Sequence, residues 1–299
     1  MSPGKKVAKK VIAASKSSSR VESAAALLDI SAPGPTRVET PGNATRHEGR
    51  YVYGVIESPG QQRSFGHSNL GGGNEEVYTV HEGDLAAIVS HTPVFIFDPT
   101  RDNVLAHEHV VEAVMKNHTI IPMSFGTVFR TDDDVRAVLK SIYPSLKDVL
   151  GQMAGKLEIG LKVTWDRDRI IEELQHEHHE IHRFHQELIR KHLQSTYFAR
   201  MHLGRMIDKA LADLAANYVR EIYDGLRSVC LASRDSKPIG DKMIMNAAFL
   251  VLKARESDFD AAVERMARKF DNRLIFKSTG PWPPYNFVNI RLRLERAQA

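Results

Sequence analysis

At 299 residues the chain is long enough for two domains of ordinary size, and 42% hydrophobic with 26% charged residues is the balance of a soluble globular protein. The formal charge of +4 is carried by residues 1–48, with eight Lys and Arg against four acids, so the rest is near neutral and lacks the broad field that nucleic acid or an anionic membrane attracts. The single cysteine, Cys230, forms no internal disulfide, and no apolar run approaches the ~20 residues of a membrane span, so a reducing, cytoplasmic setting is expected.

Residues 1–48 hold Lys, Ser, Ala, Pro and Gly but no aromatic residue, and are expected to be a disordered basic tail. The opening MSPGKKVAKKVIAASKSSSR is basic like the start of a signal peptide. Its longest apolar run, VIAA, is too short to direct secretion. Ser23–Ile30 is long enough for one or two helical turns on a partner and marginal by itself.

An N-terminal mixed α+β domain is expected over residues 49–154. Tyr51–Ile56 has the aromatic and β-branched content of a strand, and residues 57–75, with Pro59, Gly60, Gly66 and Gly71-Gly72-Gly73, are expected to form a loop. Glu76–Val80 and Leu85–Ser90 predict a hairpin about Glu82-Gly83-Asp84. Val104, Val110, Val111, Val114 and Met115 recur as on a helix over Val104–Asn117. Ile120–Met123 is extended, and Phe125–Arg130 is placed beside it. Thr131 before Asp132, Asp133 and Asp134 then predicts a capped helix through Val135, Val138, Leu139 and Ile142.

A C-terminal domain is expected over residues 155–299. Leu157–Val163 alternates as a strand with one buried face. A long helical region over 168–227 follows, with a break expected near Ser195–His202. Ile170, Leu174, Ile181, Phe184 and Leu188 make a narrow coiled-coil-like stripe on its first half, and Leu203, Met206, Ile207, Ala210, Leu211 and Leu214 share a face on the second. Val229–Ser233 and Met243–Leu252 are predicted strands, Asp258–Phe270 a helix, Leu274–Ser278 a strand and Phe287–Leu292 a last extended piece. The β-α-β-β-α-β order predicts a modified ferredoxin-like domain whose first crossover is enlarged into a helical hairpin.

Among the candidates for chemistry, the histidines His176, His178, His179, His182, His185 and His192 are the sharpest. On one continuous helix His178, His182 and His185 would share a face, which makes a metal-dependent enzyme the alternative function. The pattern His-Glu-x-x-His is absent, however, and Glu180 falls in the wrong register for a base, so a solvated His-rich face is the reading adopted. Gly71-Gly72-Gly73-Asn74 lacks the Gly-Lys-Ser/Thr ending of a phosphate loop. Cys230 is expected to be buried in its strand and inert. Lys5, Lys6, Lys9, Lys10, Lys16 and Arg20 are charge without a stacking partner, a solvated tail rather than a nucleic-acid site. Pro281, Pro283 and Pro284 stiffen the chain around Trp282, which either covers the open end of a core or presents a binding surface, core cover being the favoured expectation. No catalytic, cofactor-binding or metal-binding residue is assigned, and the sequence sets no oligomeric state.

Several stretches resemble the gas vesicle protein F/L family: Ala106-His107-Glu108, Val110–Val114, Ile121–Phe129, Tyr197–Gly204 and, most specifically, Thr279-Gly280-Pro281-Trp282-Pro283-Pro284-Tyr285-Asn286-Phe287. The resemblance covers about residues 50–292 and excludes the basic tail and the histidine density of 176–192. It implies two α+β domains, the second modified ferredoxin-like, and a non-enzymatic role in assembling or lining the gas vesicle, a protein-walled, gas-filled compartment. It implies as partners the small shell protein and other gas vesicle accessory proteins, and it supplies no catalytic residue. It also makes His107 and Glu108 structural, serving the loop at Phe125-Gly126-Thr127, while His109 points away from both.

Overall fold

The computed structural model describes residues 49–190, 196–270 and 273–288, which form a mixed α+β fold. Its contacts divide it into two compact units, one ending at Glu158 and resuming at Pro281, the other running Ile159–Gly280. The residues after Gly280 therefore group with the first unit, although the strand they leave belongs to the second.

In the first unit the strands are β1 (Gly49–Glu57), β2 (Ser64–Ser68), β3 (Glu75–Glu82), β4 (Leu85–Thr92), β5 (Ile120–Pro122) and β6 (Val128–Phe129). They make one sheet in the order β2-β3-β4-β1-β5, with β6 also pairing β1. The helices are α1 (Arg101–Met115), α2 (Asp132–Ser141) and α3 (Tyr143–Met153). Tyr51, Tyr53, Ile56, Val77 and Ile88 face Ala106, Val110, Val111 and Val114 of α1, and Val52, Val55, Val80, Ala87 and Val89 face Val135, Leu139, Leu146 and Leu150 of α2 and α3. With helices on both faces, β1 and β4 need apolar residues at successive positions, which is why Tyr-Val-Tyr-Gly-Val-Ile does not alternate.

The hairpin of β3 and β4 forms where expected, with Glu82 opposite Leu85 across Gly83-Asp84. The predicted cap of α2 is a full capping box: the Asp134 N–H donates to Thr131 Oγ1, and the Thr131 N–H donates to the Asp134 carboxylate. Asp132 does more than meet the helix dipole, since Arg50 Nε donates to it at 2.6 Å and Tyr78 Oη at 3.1 Å. Two elements depart from expectation. The loop assigned to 57–75 contains β2, an edge strand whose glycine, Gly66, has φ 88°. After Ile142 a further helix, α3, starts at Tyr143 with Pro144 in its first turn and buries Leu146, Leu150 and Met153 at helical spacing.

Gly54 sits where β1 is clamped between β4 and β5, and a Cβ there would lie 2.6 Å from Ile120 Cδ1 and 2.7 Å from the Ile121 carbonyl oxygen. Backbone cannot yield as a flexible side chain does, so Gly54→Ala is expected to destabilise the first unit by about 1–3 kcal/mol in chemical denaturation. An unchanged midpoint would mean that β5 moves aside without cost.

The second unit contains β7 (Lys156–Trp165), α4 (Arg167–Glu177), α5 (His179–Arg190), α6 (Thr196–Leu226), β8 (Ala232–Asp235), β9 (Met243–Leu252), α7 (Glu256–Lys269) and β10 (Leu274–Trp282). Its sheet runs β10-β7-β9-β8. Phe249 of β9 is fully buried with its ring centroid 5.3 Å from Phe259 of α7 and 5.7 Å from Tyr223 of α6, so three elements close on one side chain.

Several expectations for this half are corrected. β7 is an interior strand, not one with a single buried face: Glu158 and Lys162 are buried along with Leu157, Ile159, Leu161 and Val163. The helical region breaks at His178, whose φ −82° and ψ 107° are extended and where no break was expected; of the break expected near Ser195–His202, residues 196–202 are helical and Ser195 lies outside the described residues. The break leaves the Gln175 carbonyl without its helical donor, and His182 Nδ1 lies 3.0 Å from it. β8 begins at Ala232, later than the predicted Val229, so Cys230 precedes the strand and is half-buried. Burial raises its thiol pKa. β10 runs past Ser278 to Trp282, while Phe287 lies in a turn and neither it nor Val288 is in a strand. The predicted tail of 1–48, its helix-forming Ser23–Ile30, His192 and residues 289–292 lie outside the described residues.

Candidate functional site

The first unit contains a buried polar seam assembled from four distant stretches. β1 supplies Tyr51, α1 supplies His107, the loop after β5 supplies Gly126, and the segment after β10 supplies Tyr285. The Gly126 N–H donates to Tyr51 Oη at 3.0 Å, and Tyr51 Oη lies 2.9 Å from His107 Nδ1. On the other side of the ring, His107 Nε2 lies 3.4 Å from Tyr285 Oη. With Tyr51 accepting from Gly126, its O–H is available to donate to Nδ1, the arrangement in which the histidine carries its proton on Nε2, toward Tyr285.

The surroundings hold His107 neutral. It is 3% exposed, stacked at 5.6 Å on Tyr53 and flanked by Tyr51 and Phe125, and this burial pulls its pKa down to about 4 against a backbone hydrogen bond with Met123. Burial pushes the phenols of Tyr51 and Tyr285 well above their ordinary range, so both remain protonated donors at any physiological pH. Beside the seam the Asn286 N–H and Nδ2 donate to the two oxygens of Glu158 at 2.7 and 2.5 Å. Pro283 and Pro284 are buried and Trp282 half-buried. The segment after β10 is therefore fastened by a histidine, a carboxylate and two packed prolines.

On the opposite face of the same sheet an apolar cavity of about 50 Å³ lies among Val52, Ile121, Met123, Leu139, Leu146 and Val288. That is far below the ~300 Å³ at which pockets for organic ligands begin. The arrangement of the seam orders protons and fastens chain; it presents no activated nucleophile beside a base.

The sequence candidates are dispersed. His178 is the residue at the break between α4 and α5, so it does not share a continuous helical face with His182 and His185, and the zincin-like step is lost. His176 and His182 approach to 6.4 Å between ring centroids. Among the described residues no group of three His, Cys, Asp or Glu side chains comes together that could hold a metal ion. Gly71-Gly72-Gly73 is part of a 3-10 turn whose Gly71 N–H donates to Asn103 Oδ1 of α1, with Leu70 buried beneath it. Thus its amides are turned to the protein. His109 is exposed. No helix among the described residues is long and apolar enough to cross a membrane.

The pattern of the family described as Gas vesicle synthesis protein GvpL/GvpF matches residues 49–289. The chain belongs to this family. Gas vesicle protein F1 of Halobacterium salinarum is 27% identical over 84% of this chain and 98% of its own length. Gas vesicle protein F of Nostoc sp. is 26% identical over 81% of this chain and 98% of its own. The crystal structure of GvpF from Anabaena sp. shares the fold, with a TM-score of 0.73, 24% identity and coverage of 82% of this chain and all of that one. Membership of the GvpL/GvpF family gives the chain a gas vesicle-related role. Of the stretches that carry the resemblance in the first unit, 106–114 supplies His107, which meets Tyr285 of the Gly-Pro-Trp-Pro-Pro-Tyr-Asn run, and 121–129 supplies Gly126, which meets Tyr51. Tyr51 and Glu158 complete the seam, and no short-range pattern marks either: their partners lie 56 and 128 residues away.

Proposed function

We propose that this chain is a non-enzymatic assembly protein of the gas vesicle that works in the cytoplasm by protein–protein contact, with the small shell protein as its principal partner and other accessory proteins beside it. A subunit that lines a gas space must carry an apolar face, and such a face aggregates unless it is held until assembly. Family membership over residues 49–289 is the observation that carries this reading.

The mode of contact follows from what the fold leaves open. Ile170 and Ile181 of the helical stripe are buried in their own unit, so the stripe is a poor acceptor for a partner helix. β8 is the better acceptor: it ends the sheet order, pairs on one side with β9, and exposes all four residues of Ala232–Asp235. A strand of the shell protein would add there by backbone pairing. We read the second unit as a ferredoxin-like variant, supported by its order of fourth, first, third and second strand, with α4–α6 as the enlarged crossover. We divide the chain into a basic tail, 1–48, and domains 49–154 and 155–299.

Co-purification with the small shell protein tests the proposal. The expected result is a complex that persists across moderate salt, and a deletion strain without buoyant, light-scattering cells. Absence of any complex under several salt conditions, together with normal vesicles in the deletion strain, would overturn it.

A further inference from the structure

Beyond Tyr285 and Asn286 the chain passes to the other face of the first unit's sheet. The Val288 N–H donates to the Pro284 carbonyl at 3.1 Å and closes a turn. The Val288 side chain packs on the cluster of Val52, Val55, Leu139 and Leu146, and it lines the apolar cavity of about 50 Å³ together with Ile121, Met123, Phe129 and Val138. Met123, Phe129 and Val138 are only half-buried, so the cavity continues to the surface as a groove between α2 and the chain after β5. Ser124 belongs to the same lining, and its Oγ is buried with no hydrogen-bond partner among the described residues. A buried hydroxyl left in this state is costly until a donor or acceptor reaches it.

The sequence after Val288 has the pattern that such a groove accepts. In Asn289-Ile290-Arg291-Leu292-Arg293-Leu294 apolar and polar residues alternate, and Val288, Ile290, Leu292 and Leu294 follow at steps of two. In an extended chain these four share one side, and Arg291 and Arg293 share the other. A helix would divide the same four between two opposite sides. Val288, the first of the row, is already seated in the lining. At ~3.3 Å per residue Ile290 and Leu292 fall ~7 and ~13 Å beyond it. The space takes the branched end of an aliphatic side chain, and an extended backbone brings an N–H and a C=O at every residue to meet Ser124.

We propose that this groove is the docking site of the chain's own segment Asn289–Leu294, which lies across it as an extended strap, with Ile290 and Leu292 inward and Arg291 and Arg293 in water. The row begun by Val288 carries the assignment. The family pattern matches only as far as residue 289, so the strap is a feature of this chain beyond that pattern.

Maleimide labelling of the full chain tests the strap, with Cys230→Ser removing the native thiol and Val138→Cys placing one in the groove. Labelling should be slow, and adding Ile290→Asp with Leu292→Asp should quicken it by about tenfold or more, because the strap then spends more time off the groove. Arg291→Asp, on the outward row, should leave the rate unchanged. Val80→Cys, in the core beneath the same face, should stay protected in every variant, which separates uncovering of the groove from unfolding. The inward pair should also lower the melting midpoint by several degrees. Equal labelling at position 138 with and without the inward pair overturns the proposal, as does an equal response to Arg291→Asp or a matching rise at position 80. Protection that grows with protein concentration also overturns it, because a second copy would then be the occupant.

Discussion

Between pH 6.5 and 4 the first unit is expected to lose about 3 kcal/mol of stability through His107 alone. Its pKa is about 4 when folded, against 6.5 for the free side chain, because burial among Tyr51, Tyr53 and Phe125 excludes the charged form. Above pH 6.5 neither state holds the extra proton, so the full stability is present. As the pH falls below 6.5 the unfolded chain takes up a proton that the folded chain refuses, and stability drops by about 1.4 kcal/mol per pH unit. Below about 4 both states are protonated, and this contribution to the slope ends. Denaturation midpoints measured across this range should therefore fall more steeply for the native chain than for His107→Asn, which cannot titrate. An NMR titration of the His107 ring with a midpoint near 6.5, or equal slopes in the two proteins, would refute it. Protonation would also turn Nδ1 into a donor facing the Tyr51 hydroxyl, so Tyr51 would have to give up its donation to the ring. The hold on Gly126 and Tyr285 should loosen together.

Phe249→Ala should produce the largest loss in the second unit, about 3–5 kcal/mol. The ring is wholly buried and touches Tyr223 and Phe259, so its removal leaves a hole bounded by β9, α6 and α7. Since these elements belong to one unit, amide exchange should quicken along β9 and α7 while β1 and β4 of the other unit keep their protection. A uniform loss of protection in both units would show that they unfold as one. A loss under about 1 kcal/mol would show that the neighbours collapse into the space.

Local patterns foretold much of this molecule. The hairpin at Gly83-Asp84 and the capping box at Thr131 depend on residues within a few positions of each other, and both formed as expected. The Gly-Pro-Trp-Pro-Pro-Tyr run carried the family resemblance because its composition is distinctive without any fold. β2 and α3 escaped because their signals are weak alone: an exposed edge strand around Gly66, and a helix of 11 residues with a proline in its first turn. The helix break at His178 escaped for another reason. Periodicity across 170–188 is compatible with a continuous helix, and the ring of His182 on the Gln175 carbonyl becomes visible only once the chain has turned.

The sequence by itself determined most of the element types, the capped start of α2, the turn at Gly83-Asp84 and the family. These follow from chemistry within a turn or two of helix or strand. Tertiary structure decided which polar residues are buried and what they meet. His107 and Glu158 look like surface residues of a helix and a strand until Tyr285 and Asn286 arrive from more than a hundred residues away. Burial there is assembled from β1, α1, the loop after β5 and the returning last segment together, so neither the depressed histidine pKa nor the fastening of that segment is written in any local stretch.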